Sequence, residues 1–372
     1  IVSTPSAVIP PQSEIERAAK LINAGKKVAF FCGIGCRDSK EEIVRLARRI
    51  HAPITHTLKA KEIFDYDDGP VVGMTGLIGN PGGYHAVRDC DVLVMLGTDF
   101  PYEWFLPDGP EIIQVDRLAE NVGRRASVTV GLVGTVKETV ALLDPLIDDK
   151  SDEAYLSKQK KRATSWLNAM DKQGSLDNTS EPLHPQVIAK AVSDHAAEDA
   201  IFASDVGECT VWLARQMRMK GGRRMVGSFN HGSLGSGFPT GLGAIACNPK
   251  RQVWAMCGDG GFAMAMQDFV TAARYGWPLK VVVFNNSELG FVKMEMEVAG
   301  YPYNKMATHL VNPDFAAYAK ACGGDGVRVE KAAEIMPAIE AAIQSDKPFI
   351  IDAIVSAGEL VMPPNITVEE AW

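Results

Sequence analysis

Gly258-Asp259-Gly260 and Asn285-Asn286 are the residues of this chain best suited, by type and spacing, to do chemistry. Each group follows a short apolar run, residues 252–257 and 279–284, and the interval between them holds one helix and one strand. Two neighbouring parallel strands joined by such a helix bring Asp259 and Asn286 together at the carboxyl edge of the sheet, where ligands of open α/β sheets bind. A carboxylate and an amide oxygen, completed by a main-chain carbonyl, phosphate oxygens and water, make a hard octahedral Mg²⁺ site. Gly258 and Gly260 let the backbone approach a ligand closely. A helix beginning near Gly261 aims its free N–H groups at an anion. A lone Gly-Asp-Gly is most often a plain turn, so the pairing with Asn285-Asn286 carries the weight.

The elements that position these residues alternate along the whole chain. Runs at 27–32, 52–57, 91–96, 111–116 and 128–132 are strand-length and mostly apolar throughout. A helix over 40–50 places Ile43, Leu46, Ala47 and Ile50 on one face, and a helix over 136–147 closes the unit. Apolar strands separated by helices predict a parallel sheet covered on both faces, here over residues 14–148. Residues 149–183 turn charged and then polar and read as a linker made of a charged helix and a polar connector. From residue 184 the alternation resumes, with helices at 184–197, 262–275 and 314–322, strands at 200–204, 224–228, 252–257, 279–284 and 349–355, and a glycine-rich loop at 232–243. Residues 184–372 thus form a second domain of the same kind. The fold class is α/β, two doubly wound, Rossmann-like parallel sheets.

The 372 residues carry a net charge of −8, and 46% of them are hydrophobic, an ordinary globular composition. The acidic balance argues against a general nucleic-acid binder, because little basic surface is left to neutralise phosphates. Seven scattered cysteines fit reduced, buried thiols better than a disulfide scaffold. No apolar run approaches the ~20 residues of a membrane-spanning helix. The chain opens without Met on an extended, proline-containing stretch, and is expected to be a fragment.

Gly-Asp-Gly followed at this interval by Asn-Asn resembles the signature of thiamine-diphosphate enzymes. Five further motifs narrow the resemblance: Met74-Thr75-Gly76-Leu77-Ile78-Gly79, Leu96-Gly97-Thr98-Asp99-Phe100-Pro101-Tyr102, Gly227-Ser228-Phe229-Asn230-His231-Gly232, Leu289-Gly290-Phe291-Val292-Lys293-Met294-Glu295-Met296 and Gly358-Glu359-Leu360-Val361-Met362-Pro363-Pro364. Together they are similar to the FAD-containing pyruvate dehydrogenase (quinone), or pyruvate oxidase, family. The resemblance implies that Asp259, Asn286 and the carbonyl of Glu288 bind Mg²⁺. It further implies that Val206, Gly207, Gly232, Ser233, Leu234, Gly260, Gly261, Gly290 and Phe291 surround thiamine diphosphate, with Asp205-Val206-Gly207-Glu208 as a loop around its diphosphate. The Gly232 carbonyl would accept a hydrogen bond from the aminopyrimidine, and Leu234 would wedge the cofactor into its bent form. In the first domain, Gly33-Ile34-Gly35-Cys36, Thr57-Leu58-Lys59, Thr75-Gly76-Leu77-Ile78 and Thr98-Asp99-Phe100-Pro101-Tyr102 would line FAD, with Asp116 facing the adenosine. From the residues alone, Gly33-Ile34-Gly35 is as readily a tight strand-to-helix turn.

The implied activity is oxidative decarboxylation of pyruvate to acetate and CO₂, with electrons passed through FAD to a quinone. Phe291 and Glu295 are the candidate catalytic residues, with a core Phe and a solvated helix-face Glu as the plainer alternatives. His231 could contact substrate or cofactor, and a hydrogen-bonded buried His is the plainer reading. The resemblance also implies a cytoplasmic homotetramer, associated peripherally with the cell membrane when full length. Three departures stand out. Gly134-Thr135 replaces a Gly-Asp, Asp116 is followed by Arg117-Leu118, and the amino-terminal pyrimidine-binding domain with its catalytic Glu is not among these residues. The isolated fragment is therefore expected to be inactive, and a carboxy-terminal extension is expected beyond Trp372. Alternatives are an acetolactate-synthase-type carboligase with structural FAD, a phosphate-dependent pyruvate oxidase, and a non-catalytic cofactor-binding module.

Overall fold

Apolar strands without alternation need two covered faces, and the computed structural model shows how they obtain them. It describes residues 6–359. Expectations that fall on residues 1–5 and 360–372, including most of the last motif and the end at Trp372, lie outside the described residues. The chain divides after Leu167 into two compact units.

In the first unit, β1 (Val28–Cys32), β2 (Ile54–His56), β3 (Val71–Met74), β4 (Val92–Leu96), β5 (Glu111–Asp116) and β6 (Val130–Val133) form one parallel sheet ordered β3-β2-β1-β4-β5-β6. Successive side chains leave a strand on opposite faces. Phe30, Val94 and Leu96 accordingly pack with Ile43, Leu46 and Val140 on one side. Phe31, Leu93 and Met95 pack with Phe100 and Phe105 on the other. β3 has no counterpart in the sequence pattern, because it is short and broken by Gly73 at φ +101°. The closing helix ends at Leu143 rather than 147; Pro145, lacking an N–H, turns the chain into a 3₁₀ segment, Asp144–Leu146.

The charged helix expected in the linker is Ala154–Gln173. Its first half packs on the first unit, where the Tyr155 hydroxyl donates to the Ala86 carbonyl at 2.7 Å and Ala163 lies against Gly82.

The second unit repeats the architecture. β7 (Ile201–Ser204), β8 (Arg224–Gly227), β9 (Val253–Gly258), β10 (Lys280–Asn285), β11 (Asp325–Val329) and β12 (Phe349–Ile354) are parallel and ordered β11-β12-β10-β9-β7-β8. Strand order reverses between β1 and β4 in one sheet and between β7 and β9 in the other, the crevice where doubly wound folds bind ligands. Residues 232–243, read from their glycines as a loop, instead run into a helix, Gly237–Cys247. A Cβ at Gly237 would collide with Asp205, and one at Gly241 would press on Ala255 and Leu279. Close helix–sheet packing thus overrides the low helix propensity of glycine. The single helix expected over 262–275 is two, Asp259–Ala265 and Phe269–Tyr275, joined by a 3₁₀ turn. All seven cysteines are free; five are buried, Cys322 is half-buried and Cys247 is exposed, which corrects the expectation of uniformly buried thiols.

His56 ends β2, stacked on Phe64. Burial pushes its imidazole down to about 4, with the Thr57 carbonyl opposing and Lys61 reinforcing the shift. The folded state thus holds His56 neutral while the unfolded chain takes up a proton below about 6.5. Stability is lost as pH falls through this window, by about 2–3 kcal/mol at pH 4 from this residue. Urea unfolding of His56→Gln at pH 7 and pH 4.5 should show a smaller acid-induced loss than the parent chain; an equal loss would contradict the assignment.

Candidate functional site

β9 and β10 deliver Asp259 and Asn286 to adjacent positions at the carboxyl edge of the second sheet. Asp259 is buried. Its Oδ1 accepts from Gly260 N at 2.8 Å, and its Oδ2 accepts from Ser287 N and from Asn312 Nδ2, both at 2.7 Å. Asn286 donates from Nδ2 to Glu208 Oε2 at 2.9 Å, and its Oδ1 accepts from Glu288 N at 3.0 Å. The chain turns between them through Ser287, at φ +58°, in the left-handed region that costs a residue with a Cβ. Residues 287–289 are then clamped against 308–310, with Leu289 N donating to Thr308 O and Leu310 N to Ser287 O, each at 2.8 Å. That pairing uses the carbonyls of Ser287 and Thr308 and not that of Glu288.

The two asparagines do different work. Asn285 Nδ2 donates to buried Asp352 Oδ1 at 2.9 Å, and Asn285 Oδ1 accepts from Asn312 Nδ2 at 2.9 Å. Asn285 therefore ties the strand end to β12 while Asn286 faces the loop.

At the β7/β9 reversal stands Asp205, fully buried. Its Oδ1 accepts from Val206 N at 2.8 Å and Gly235 N at 2.9 Å, and its Oδ2 is buried without a protein partner. It thereby fastens the segment 232–237 to the strand end. Gly261 lies so close to Asp205 that a Cβ there would collide with its carboxylate. Gly260 is spent on packing, since a Cβ would press on Leu289 and Leu310. Of the two glycines expected to admit a ligand, only Gly258 has room beside it, a Cβ there meeting Cys209 Sγ at 4.0 Å; Gly207, at φ +119°, faces open space. Gly232, at φ +60°, Ser233, Leu234 and His231 are exposed, so the buried-His reading of His231 does not hold.

Burial raises the carboxyls of Asp259 and Asp205 above their usual range, against the N–H donors that hold them down. Burial pushes Glu208 up to about 7; its bond from Asn286 and the charge of Lys293 oppose this, and Asp259 and Glu288 add to it. Glu288 Oε1 accepts from the Tyr303 hydroxyl at 2.7 Å, and its Oε2 is buried without a protein partner.

These residues fit a hard cation. Asp259 Oδ1 and Asn286 Oδ1 each accept one hydrogen bond and retain a lone pair. Among the described residues, no three His, Cys, Asp or Glu side chains converge as a self-sufficient metal centre. The donor set is one carboxylate, one amide and one carbonyl. Mg²⁺ held by so few protein oxygens draws the rest of its octahedron from phosphate and water.

In the first unit, the segments expected to line FAD all follow carboxyl ends of consecutive sheet positions: Gly33–Cys36 after β1, Thr57–Lys59 after β2, Thr75–Ile78 after β3, Thr98–Tyr102 after β4, and Asp116 at the end of β5. Thr75 Oγ1 is buried without a protein partner, as a ligand-facing hydroxyl would be. Other groups are already engaged. Gly33 N donates to Leu96 O at 2.8 Å and Gly35 N to Gly97 O at 3.1 Å, so this turn packs β1 against β4. Asp99 is paired with Arg124, and Asp116 Oδ1 accepts from Leu118 N at 2.9 Å. Thr135, which replaces an acid, bonds Glu138 and the Val8 carbonyl. Of these segments, the one after β3 offers an unpartnered buried group, Thr75 Oγ1, whereas Asp116, expected at the adenosine, is already engaged.

Phe291 and Glu295 lie on the helix Gly290–Val298, none of whose residues is buried; Phe291 is half-buried and Glu295 exposed. The plain core reading of Phe291 therefore does not hold. Asp205 and Glu208, in the loop that the resemblance places around the diphosphate, belong to the cluster, and so does Asn312, which no motif marks. Asp205 carried a further signal, a carboxylate ending a buried strand. Asn312 lies 53 positions from Asp259 in an ordinary Asn-Pro turn, with nothing local to mark it.

Comparison with known proteins agrees with this geometry. The central-domain profile of thiamine pyrophosphate enzymes matches residues 15–143, and their C-terminal, TPP-binding profile matches residues 205–353. A Bacillus subtilis protein named for containing thiamine pyrophosphate, YdaP, is 36% identical over 97% of this chain and 62% of its own length. The acetolactate synthase large subunit of Corynebacterium glutamicum is 32% identical over 97% of this chain and 59% of its own length. That of Parasynechococcus marenigrum is 29% identical over 95% and 58%. The chain thus spans about three fifths of the length of these relatives.

Asn312→Ala would leave Asp259 Oδ2 and Asn285 Oδ1 each one donor short. Denaturant unfolding should show a loss of about 1–3 kcal/mol; unchanged stability would mean that the network does not hold Asp259.

Proposed function

Because this chain belongs to the thiamine pyrophosphate enzymes, through their central and C-terminal domains, we propose that it forms part of a thiamine-diphosphate-, Mg²⁺- and FAD-dependent enzyme that oxidatively decarboxylates pyruvate to acetate and CO₂, passing the electrons to a quinone. The observation that carries the reading is the acceptor cluster of Asp259 and Asn286 beside the β7/β9 reversal, with open space over Gly207. When bound, thiamine diphosphate supplies the electron sink for decarboxylation and FAD takes up the electron pair.

The chain's own residues supply placement. Asp259, Asn286 and the Glu288 carbonyl would hold Mg²⁺ on the diphosphate, and Gly207 and Gly258 leave room for its oxygens. Asp205 keeps the segment 232–237 fastened, so that Gly232 and Leu234 are presented from a fixed base. Phe291, half-buried beyond the metal loop, would limit the access of bulk water to the reacting carbon until the electrons have passed to FAD, the release of acetate then consuming one water. Thr75 would donate its unpartnered hydroxyl to the flavin nucleotide. Turnover belongs to a longer protein, and its tetrameric assembly, cytoplasmic location and peripheral membrane association are parts of the same proposal. Among the described residues no helix is long and apolar enough to cross a membrane.

A second reading, carboligation with FAD in a structural role, is favoured by the relatives named acetolactate synthase. Anaerobic mixing of the full-length holoprotein with pyruvate separates the two. The proposal expects the flavin absorbance to bleach, acetate to form, and added quinone to restore the colour. An oxidised flavin alongside acetolactate would establish the second reading instead. Asp259→Ala should reduce pyruvate consumption at least a hundredfold, and an active variant would overturn the site itself.

A further inference from the structure

Glu208 follows Gly207 as the first residue of the helix Glu208–Gln216, after β7, yet its carboxylate reaches past the end of β9 to the end of β10. There Oε2 accepts from Asn286 Nδ2 at 2.9 Å. An Asn side chain presents oxygen on one side and NH₂ on the other, and only the oxygen can serve a cation. A carboxylate can only accept, so it selects the NH₂ side; Glu288 N, a donor at 3.0 Å, selects the oxygen side. Together the two contacts fix both the plane and the sense of the Asn286 amide.

The backbone opposite makes room for this contact. A Cβ at Gly290 would collide with the carboxylate of Glu208. The charges bearing on Glu208 are those of Asp259 and Glu288, which repel it, and Lys293, which attracts it. A third carboxylate beside two others is electrostatically costly, and orienting Asn286 is the contact it makes in return.

We infer that Glu208 is a positioning residue for Asn286, holding its Oδ1 toward the divalent cation without itself coordinating it. The inference rests on the proposal that Asp259 and Asn286 hold Mg²⁺ on a diphosphate.

The test is Mn²⁺ binding in the presence of thiamine diphosphate, read from the electron paramagnetic resonance signal of free Mn²⁺, on the full-length protein. Glu208→Ala should weaken binding about tenfold, the effect of losing a charge-assisted hydrogen bond. Glu208→Gln, whose amide oxygen still accepts from Nδ2, should stay within about threefold of the parent. In an Asn286→Ala background, Glu208→Ala should cause no further loss, because the group it orients is gone. Parent-like binding by Glu208→Ala, a Gln variant tenfold weaker than the parent, or an undiminished loss in the Asn286→Ala background would each overturn the inference. The Gln variant conserves shape and decides the matter alone if the Ala variant does not fold. Failure of the site reading has a separate signature: no Mn²⁺ binding by the parent, or binding unaffected by Asp259→Ala.

Discussion

A carboxylate taken out of water must be met by donors, and the second domain is organised around meeting two of them. Asp259 draws donors from residues 260, 287 and 312, and Asp205 draws them from 206 and 235. Each carboxylate ends or follows a strand, and the two strands are neighbours at the point where the sheet changes direction. Satisfying these acids therefore folds three separate loops onto one edge. The electrostatics remain unfinished: burial raises both carboxyls, and Glu208 and Glu288 add negative charge. A divalent cation would offset that excess of negative charge.

The glycines show how one residue type serves opposed ends. Gly207 and Gly258 leave space where a ligand would lie, whereas Gly237, Gly241 and Gly261 are consumed by close packing against Asp205, Ala255 and Leu279. A glycine count cannot separate the two uses, which is why a helix was read as a loop. The Asn pair was more legible, since its position after an apolar strand fixes the edge it occupies. The division of labour within it was not, because Asn285 acts through Asp352 and Asn312, both far along the chain. The contact Glu208 makes was illegible for the same reason: its partner is 78 positions away and no local pattern announces it.

The first domain shows the same logic with less strain. Its strand ends gather the segments expected to meet a dinucleotide, and among them Thr75 presents a buried hydroxyl without a protein partner. Asp99 and Asp116, expected to face the cofactor, are satisfied within the protein. The sheet order was legible as a class from uniform apolar strands, while β3 was hidden by its brevity and by Gly73.

The central claim is that Asp259, Asn286 and the Glu288 carbonyl together hold a cation on a diphosphate. Its most direct test is a crystal structure of the protein with thiamine diphosphate and Mn²⁺, with anomalous scattering used to locate the metal. The account predicts a single Mn²⁺ peak within coordination distance of those three oxygens and of two phosphate groups. A peak elsewhere, or bound diphosphate with no metal at Asp259, would contradict it.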